Sequence, residues 1–158
     1  MSRSKRYLTA SLASVLLAVF IPSGTASAAC YSPNRNERGF TRLINAARTS
    51  AGDLRLDPEL SKVAKVHTRE MVRANSLHHS TSTQLRTRIT NWSSLGENVG
   101  VGSTVSSLHE AFMNSPAHRD NILHSTFRHV GVGVIKDDGR MWVTVIFEAR
   151  SDPGSSLC

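Results

Sequence analysis

The chain has 158 residues, a formal charge of +7 and only two cysteines. That length suffices for one domain with its own core, and two cysteines exclude a disulfide-dense miniature scaffold. The basic residues form no run beyond the first six positions, so the footprint of a nucleic-acid binder is absent.

Arg3, Lys5 and Arg6 precede an apolar run from Leu8 to Ile21, and Ala26-Ser27-Ala28 follows as a small-x-small cleavage pattern. This is the layout of a secretory signal peptide over residues 1–28. The run is too short and too rich in Ser and Ala for a retained anchor, since a membrane span needs roughly 20 mostly apolar residues. A lipoprotein signal fits less well, because Ser27 stands where such signals carry a leucine-like residue. Residues 29–158 then form a single domain with its core at about 36–149. Without Arg3, Lys5 and Arg6, 16 of the 19 basic residues remain against 12 acidic ones. The mature chain is mildly basic, which favours loose attraction to acidic envelope polymers. Cys30 and Cys158 stand near its two ends, and in an exported protein they are expected to pair. Such a bridge closes nearly the whole domain, worth on the order of 4 kcal/mol in the loop-entropy picture.

Phe40, Leu43, Ile44 and Ala47 recur at helical spacing within Asn36 to Ser50, and Gly52 marks the stop. Asp57-Pro58 opens a second helix as N-cap and first-turn proline. Its stripe is Leu60, Val63, Ala64, His67 and Met71, and it fades near Asn75. Ser76 to Ser94 is polar and reads as a loop around one helical turn, Gln84 to Ile89. Leu95 to Gly102, with valines at alternate positions, reads as a short strand. Thr104 to Met113 is a third helix, with Val105, Leu108 and Phe112 on one side, and Ser115-Pro116 ends it and caps the turn that follows. Val130 to Ile135 and Met141 to Phe147 are β-branched and aromatic runs around Asp137-Asp138-Gly139, an antiparallel hairpin. Helices followed by a hairpin predict an α+β fold, with helices packed on an antiparallel sheet.

Three separated polar patches carry the chemistry: Leu77-His78-His79-Ser80, Leu95-Gly96-Glu97-Asn98-Val99 and Asn114 to Leu123. Brought together, His79, Glu97 and His118 would make one pocket with the atoms for a divalent metal or for proton transfer. His118 falls in the first turn of the helix that Ser115 would cap, where the helix dipole favours the neutral imidazole. Gly96 permits close backbone approach beside Glu97. His67 reads as a core-edge histidine with one hydrogen-bond partner, and His124 and His129 as solvent-facing. His109-Glu110-Ala111-Phe112-Met113 falls short of the H-E-x-x-H zinc signature, because its second histidine is a methionine. Ser80 and Ser115 could in principle pair with a histidine as a nucleophile, and Ser115 is better explained as a helix cap.

Several short motifs occur in a fixed order. They are Leu43-Ile44-Asn45-Ala46-Ala47-Arg48, Leu56-Asp57-Pro58-Glu59-Leu60, His79-Ser80, Gly96-Glu97-Asn98, Ser115-Pro116-Ala117-His118-Arg119-Asp120-Asn121-Ile122-Leu123 and Val130-Gly131-Val132-Gly133. Over about residues 36 to 149 the set resembles the bacterial branch of the CAP superfamily, the SCP-like extracellular domains of cysteine-rich secretory, antigen 5 and pathogenesis-related proteins. The resemblance implies an α-β-α sandwich around a small central antiparallel sheet. It also implies a cavity where two histidines and two glutamates meet. Residue by residue, His79 matches the first histidine, Glu97 the glutamate of the Gly-Glu-Asn motif and His118 the second histidine. The second glutamate falls near Ser115 and is missing here. What remains, with Asn98 and Ser115 beside it, is a set from which zinc can take three protein ligands and keep an open position.

These features give a secreted module, free or held at the cell envelope, with no membrane span in the mature chain. Its His/Glu pocket would bind a divalent metal, zinc foremost, and an envelope or host protein would be its partner. The leaning is away from an enzyme. The alternatives are a metal-assisted or His/Glu-based hydrolase of peptide or cell-wall bonds and an extracellular lipid-binding module.

Overall fold

The computed structural model describes residues 31–150. The expected signal peptide and the Cys30–Cys158 bridge lie outside them. In chain order the elements are α1 (Arg35–Ala47), β1 (Arg55–Leu56), α2 (Pro58–Ala74), α3 (Ser82–Arg88), β2 (Ser94–Gly102), α4 (Val105–Asn114), α5 (Pro116–Leu123), β3 (His129–Asp137) and β4 (Arg140–Ala149). The fold is α+β, as expected. None of the helices among the described residues is long and apolar enough to cross a membrane.

Local chemistry sets the helix ends. Asn34 caps α1 in a reciprocal box with Glu37. Asp57 caps α2 ahead of Pro58 at the first helical position, and Asn75 ends it in the left-handed conformation at φ 44°. Asp138 and Gly139, at φ 45° and 70°, turn β3 into β4 as a two-residue hairpin.

The strands lie in the order β1-β3-β4-β2. β2, β4 and β3 are antiparallel, whereas β1 pairs with β3 in parallel, Arg55 opposite His129 and Leu56 opposite Val130. The sheet is therefore not wholly antiparallel. A strand of two residues has no periodicity to read, so β1 was missed.

Alternation along the hairpin sends side chains to two layers. Val130, Val132, Val134, Met141, Val143, Val145 and Phe147 join Phe40, Ile44, Leu108, Phe112 and Ile122 beneath α1, α4 and α5. On the opposite face, Ile146 packs against Leu60 and Ala64 of α2, and Trp142 against Met71. This is a sandwich of helices on both sides of the sheet. Under α2, Gly131 and Gly133 bring backbone against backbone: a Cβ would lie 2.3 Å from the Leu60 carbonyl carbon at Gly131 and 2.3 Å from the Lys65 nitrogen at Gly133. Ser61 and Thr68, absent from the apolar stripe, are also buried there. Ser61 Oγ accepts from Val132 N at 3.2 Å, and Thr68 Oγ1 lies 3.0 Å from the Gly133 carbonyl.

His129 was expected at the surface but is buried. β1 flanks it on one side, and Glu148 stands opposite it on β4, its carboxylate 3.8 Å from His129 Nδ1. His124 is exposed, as read from the sequence.

Candidate functional site: a His79–Glu97 pair with His118 across a sheet edge

β2 forms one edge of the sheet, and the three patches gather around it. Val99 packs with Met71 and Trp142 on the α2 side, and Glu97, two residues earlier, shares that side. Gly96 and Asn98 face the other way. A Cβ on Gly96 would meet Asn121 Oδ1 at 2.7 Å, so glycine is what lets α5 approach the strand. Asn98 is fully buried and its amide donates to the His118 carbonyl at 2.9 Å. Asn121 locks the arrangement, donating to the Glu97 carbonyl at 3.2 Å and to Asn98 Oδ1 at 2.9 Å. The Gly-Glu-Asn motif thus grips α5 with its backbone and Asn98, and turns Glu97 toward the loop after α2.

That loop carries His79. Its Nδ1 lies 2.9 Å from Glu97 Oε1, and the Ser80 N–H donates to the same oxygen at 2.9 Å. An ionised carboxylate only accepts, so His79 donates through Nδ1 and, when neutral, keeps a lone pair on Nε2. His79 is half exposed while Glu97 is buried. The other carboxylate oxygen, Glu97 Oε2, is buried with no hydrogen-bond partner among the described residues. Such an orphan is costly unless a proton donor or cation meets it.

A relay behind the loop fixes its position. His67 is fully buried, with Nε2 2.9 Å from the His78 carbonyl and Nδ1 3.3 Å from Glu70 Oε2. It therefore has two partners, not the single one expected, because the loop folds back over α2 and α3 supplies a counter-charge. Arg88 holds Glu70 through two hydrogen bonds of 2.7 and 3.2 Å and keeps its carboxyl below the usual range, with help from the His67 contact.

His118 comes from α5. Its ring lies against Phe112, centroids 4.9 Å apart. Burial lowers its pKa, and the neighbouring charge of His79 lowers it further. Both effects favour the neutral ring. Ser115 occupies the N-cap position but makes no side-chain cap bond, contrary to expectation. It is the single joint between α4 and α5, and its backbone serves both: its N–H donates to the Phe112 carbonyl at 3.2 Å and its carbonyl accepts from Arg119 at 2.8 Å. Among the described residues no hydrogen bond joins the Ser80 or Ser115 hydroxyl to an imidazole.

Arg48 anchors α5 from below. It is buried and donates to the carbonyls of Gly52, Ile122 and His124 at 2.7, 2.5 and 3.1 Å, and to those of Ala51 and Phe127 at 3.2 and 3.3 Å. Arg48 ends the Leu43-Ile44-Asn45-Ala46-Ala47-Arg48 motif, where nothing local assigns it a role. A lone arginine ending an apolar stripe was the signal.

The donor types around Glu97 suit a divalent cation. Their grouping is looser: among the described residues no three His, Cys, Asp or Glu side chains are close enough to hold an ion. As it stands, Glu97 orients His79, in the way a carboxylate orients a metal-binding imidazole.

The sequence matches the profile of the cysteine-rich secretory protein (CAP) family over residues 41–147, well over half of the chain. The chain belongs to the CAP family. The uncharacterised protein YkwD of Bacillus subtilis is 31% identical over 129 residues, covering 76% of this chain and 50% of that protein. The chain thus spans half the length of that relative. An extracellular protein containing an SCP domain from Bacillus anthracis superposes with a TM-score of 0.65 at 25% identity, over 73% of this CAP domain's chain and 40% of its own. An outer surface protein from Borrelia burgdorferi gives a TM-score of 0.69 at 18% identity, covering 77% of this chain and 98% of its own, a likeness of fold. The Bacillus anthracis relative is described as an extracellular protein, in keeping with a secreted chain.

Proposed function

We propose that this CAP domain is a non-catalytic extracellular interaction module whose His79–Glu97–His118 pocket takes a divalent cation, zinc foremost. One observation carries the reading: Glu97 Oε2, a buried carboxylate oxygen without a partner among the described residues, beside an imidazole held in the tautomer that offers Nε2. His118 supplies a second neutral ring. When bound, zinc would act as a bridge or an electrophile. Every residue role in the pocket is otherwise one of holding and orienting: Glu97 fixes His79, Asn98 and Asn121 fix α5, and Phe112 backs His118. Among the described residues no hydroxyl is hydrogen-bonded to either imidazole, which favours binding over nucleophilic chemistry.

Calorimetric titration with zinc tests the cation directly. Binding is expected at micromolar zinc, weakened at least tenfold by His118→Ala and by Glu97→Gln. Absence of heat up to high micromolar zinc, with circular dichroism showing a folded protein, would overturn the cation and leave a polar pocket for an organic partner.

A further inference from the structure

A second site lies on a different part of the molecule and shares no residue with that pocket. A cleft of about 460 Å³ opens between α1, the start of α4 and the end of the β3–β4 hairpin. Gly39, Leu43, Val105 and Met141 give it an apolar floor, and Arg35, Arg42 and Lys136 stand at its walls.

The placement of these cations follows from the fold. Arg35 and Arg42 are seven residues apart on α1, two turns along one helix face and about 10 Å between backbones. Lys136 pairs in register with Met141 across the hairpin. It continues the alternation of Val132 and Val134, so it points to the α1 side of the sheet, while its acidic neighbour Asp137 points away. The carboxylate nearest in sequence on α1, Glu37, is buried and turned to Lys65 at 3.1 Å and Tyr31 at 2.8 Å. Arg35, Arg42 and Lys136 make no ion pair with any described carboxylate. Three unneutralised cations therefore face one cleft, and clefts lined by one sign of charge concentrate counter-ions of the other.

We propose that this cleft binds an anionic polymer built of repeated phosphodiesters, of the kind that coats a cell envelope. Arginine matches phosphate oxygens with a planar fork of donors, and lysine serves as a point charge. Two arginines about 10 Å apart suit successive phosphates along a chain better than one isolated phosphate, and the apolar floor suits the carbon linkers between them. The proposal rests on the reading of the domain as an extracellular interaction module, and not on its cation pocket.

The test is a nuclear magnetic resonance titration of the purified protein with a glycerol phosphate oligomer, with inorganic phosphate and anionic phospholipid vesicles as separate arms. Oligomer is expected to shift the amides of α1, Ser103 to Ser106 and Lys136, at least tenfold more tightly than inorganic phosphate. Added salt should weaken it steeply. Arg42→Glu and Lys136→Glu should each weaken it about tenfold. Lys62→Glu, the same charge change on an exposed α2 position, should leave it nearly unchanged. Equal loss in all three variants would reduce the effect to net charge and overturn the site. So would cleft-dependent binding of vesicles but not of oligomer. Zinc titration of the same variants separates the two readings, because Arg42→Glu should leave zinc binding intact.

Discussion

The two faces of the sheet are built on opposite principles. Under α1, α4 and α5 the sheet offers large side chains, and Phe40, Phe112, Phe127 and Phe147 fill the gap. Under α2 it offers Gly131 and Gly133, and helix backbone rests on strand backbone. A layer of interdigitated side chains can repack around a small change, whereas a backbone contact cannot. The difference matters for the site. His79 comes from the loop after α2, on the rigid side, and His118 from α5, on the repackable side, with the edge strand β2 between them.

Substitution at neighbouring β3 residues breaks this contrast most directly. Gly131→Ala drives a methyl into the Leu60 carbonyl carbon at 2.3 Å and should cost about 3 kcal/mol or more. Val132→Ala, one residue on and facing the other layer, leaves a small cavity and should cost about 2 kcal/mol. Urea denaturation with an unchanged slope measures both. A Gly131→Ala loss below that of Val132→Ala would show that α2 can lift off the sheet, and the rigid side would not exist.

The relay behind His79 gives a smaller effect. His67→Gln removes one side of the bridge between Glu70 and the His78 carbonyl in a fully buried place. A lost buried hydrogen bond costs about 1–3 kcal/mol. A purely structural histidine would stop there. If it positions the loop, the His79 ring should also leave Glu97, and its Nδ1 proton signal should broaden or vanish at a temperature where the variant is fully folded. A sharp, unmoved His79 signal would confine His67 to stability.

Much of this plan was legible in the chain. Asp57-Pro58 marked the start of α2, alternate valines marked β2, β-branched and aromatic runs marked the hairpin strands, and Asp137-Asp138-Gly139 marked their turn, which Asp138 and Gly139 form while Asp137 pairs with Arg140. These are local signals, made by residues within a few positions of one another. What escaped depends on partners far away in sequence. Ser61 and Thr68 look like surface polar residues until β3 supplies Val132 N and the Gly133 carbonyl. His129 looks like a loop histidine until β1 and Glu148 enclose it. Glu97 was picked out with His79 and His118, yet the pleat at an edge strand sends Glu97 and Asn98 to opposite faces. That split, not the spacing of the motif, decides that Glu97 serves His79 while Asn98 serves α5.

The repackable side has a titration signature, the smallest of the expected effects. Burial lowers the pKa of His118 and of His109, whose ring lies edge-on to Phe40 with centroids 6.4 Å apart. A base whose folded pKa is depressed below its unfolded value of about 6.5 binds fewer protons folded than unfolded in the interval between the two. Stability therefore rises with pH across that interval and falls as pH drops below about 6.5. Glu70 acts in the same direction at more acid pH, since its depressed carboxyl loses its contribution only as Arg88 loses a charged partner. Melting temperature measured from pH 7.5 down to 5.5 should fall, and the fall should shrink in a His109→Gln, His118→Gln double variant. Zinc, if it occupies the pocket, binds the neutral ring and competes with the proton. The fall should then steepen when zinc is present. A pH slope that zinc leaves unchanged would place the metal elsewhere, and a slope that survives the double variant would place the titration outside α4 and α5.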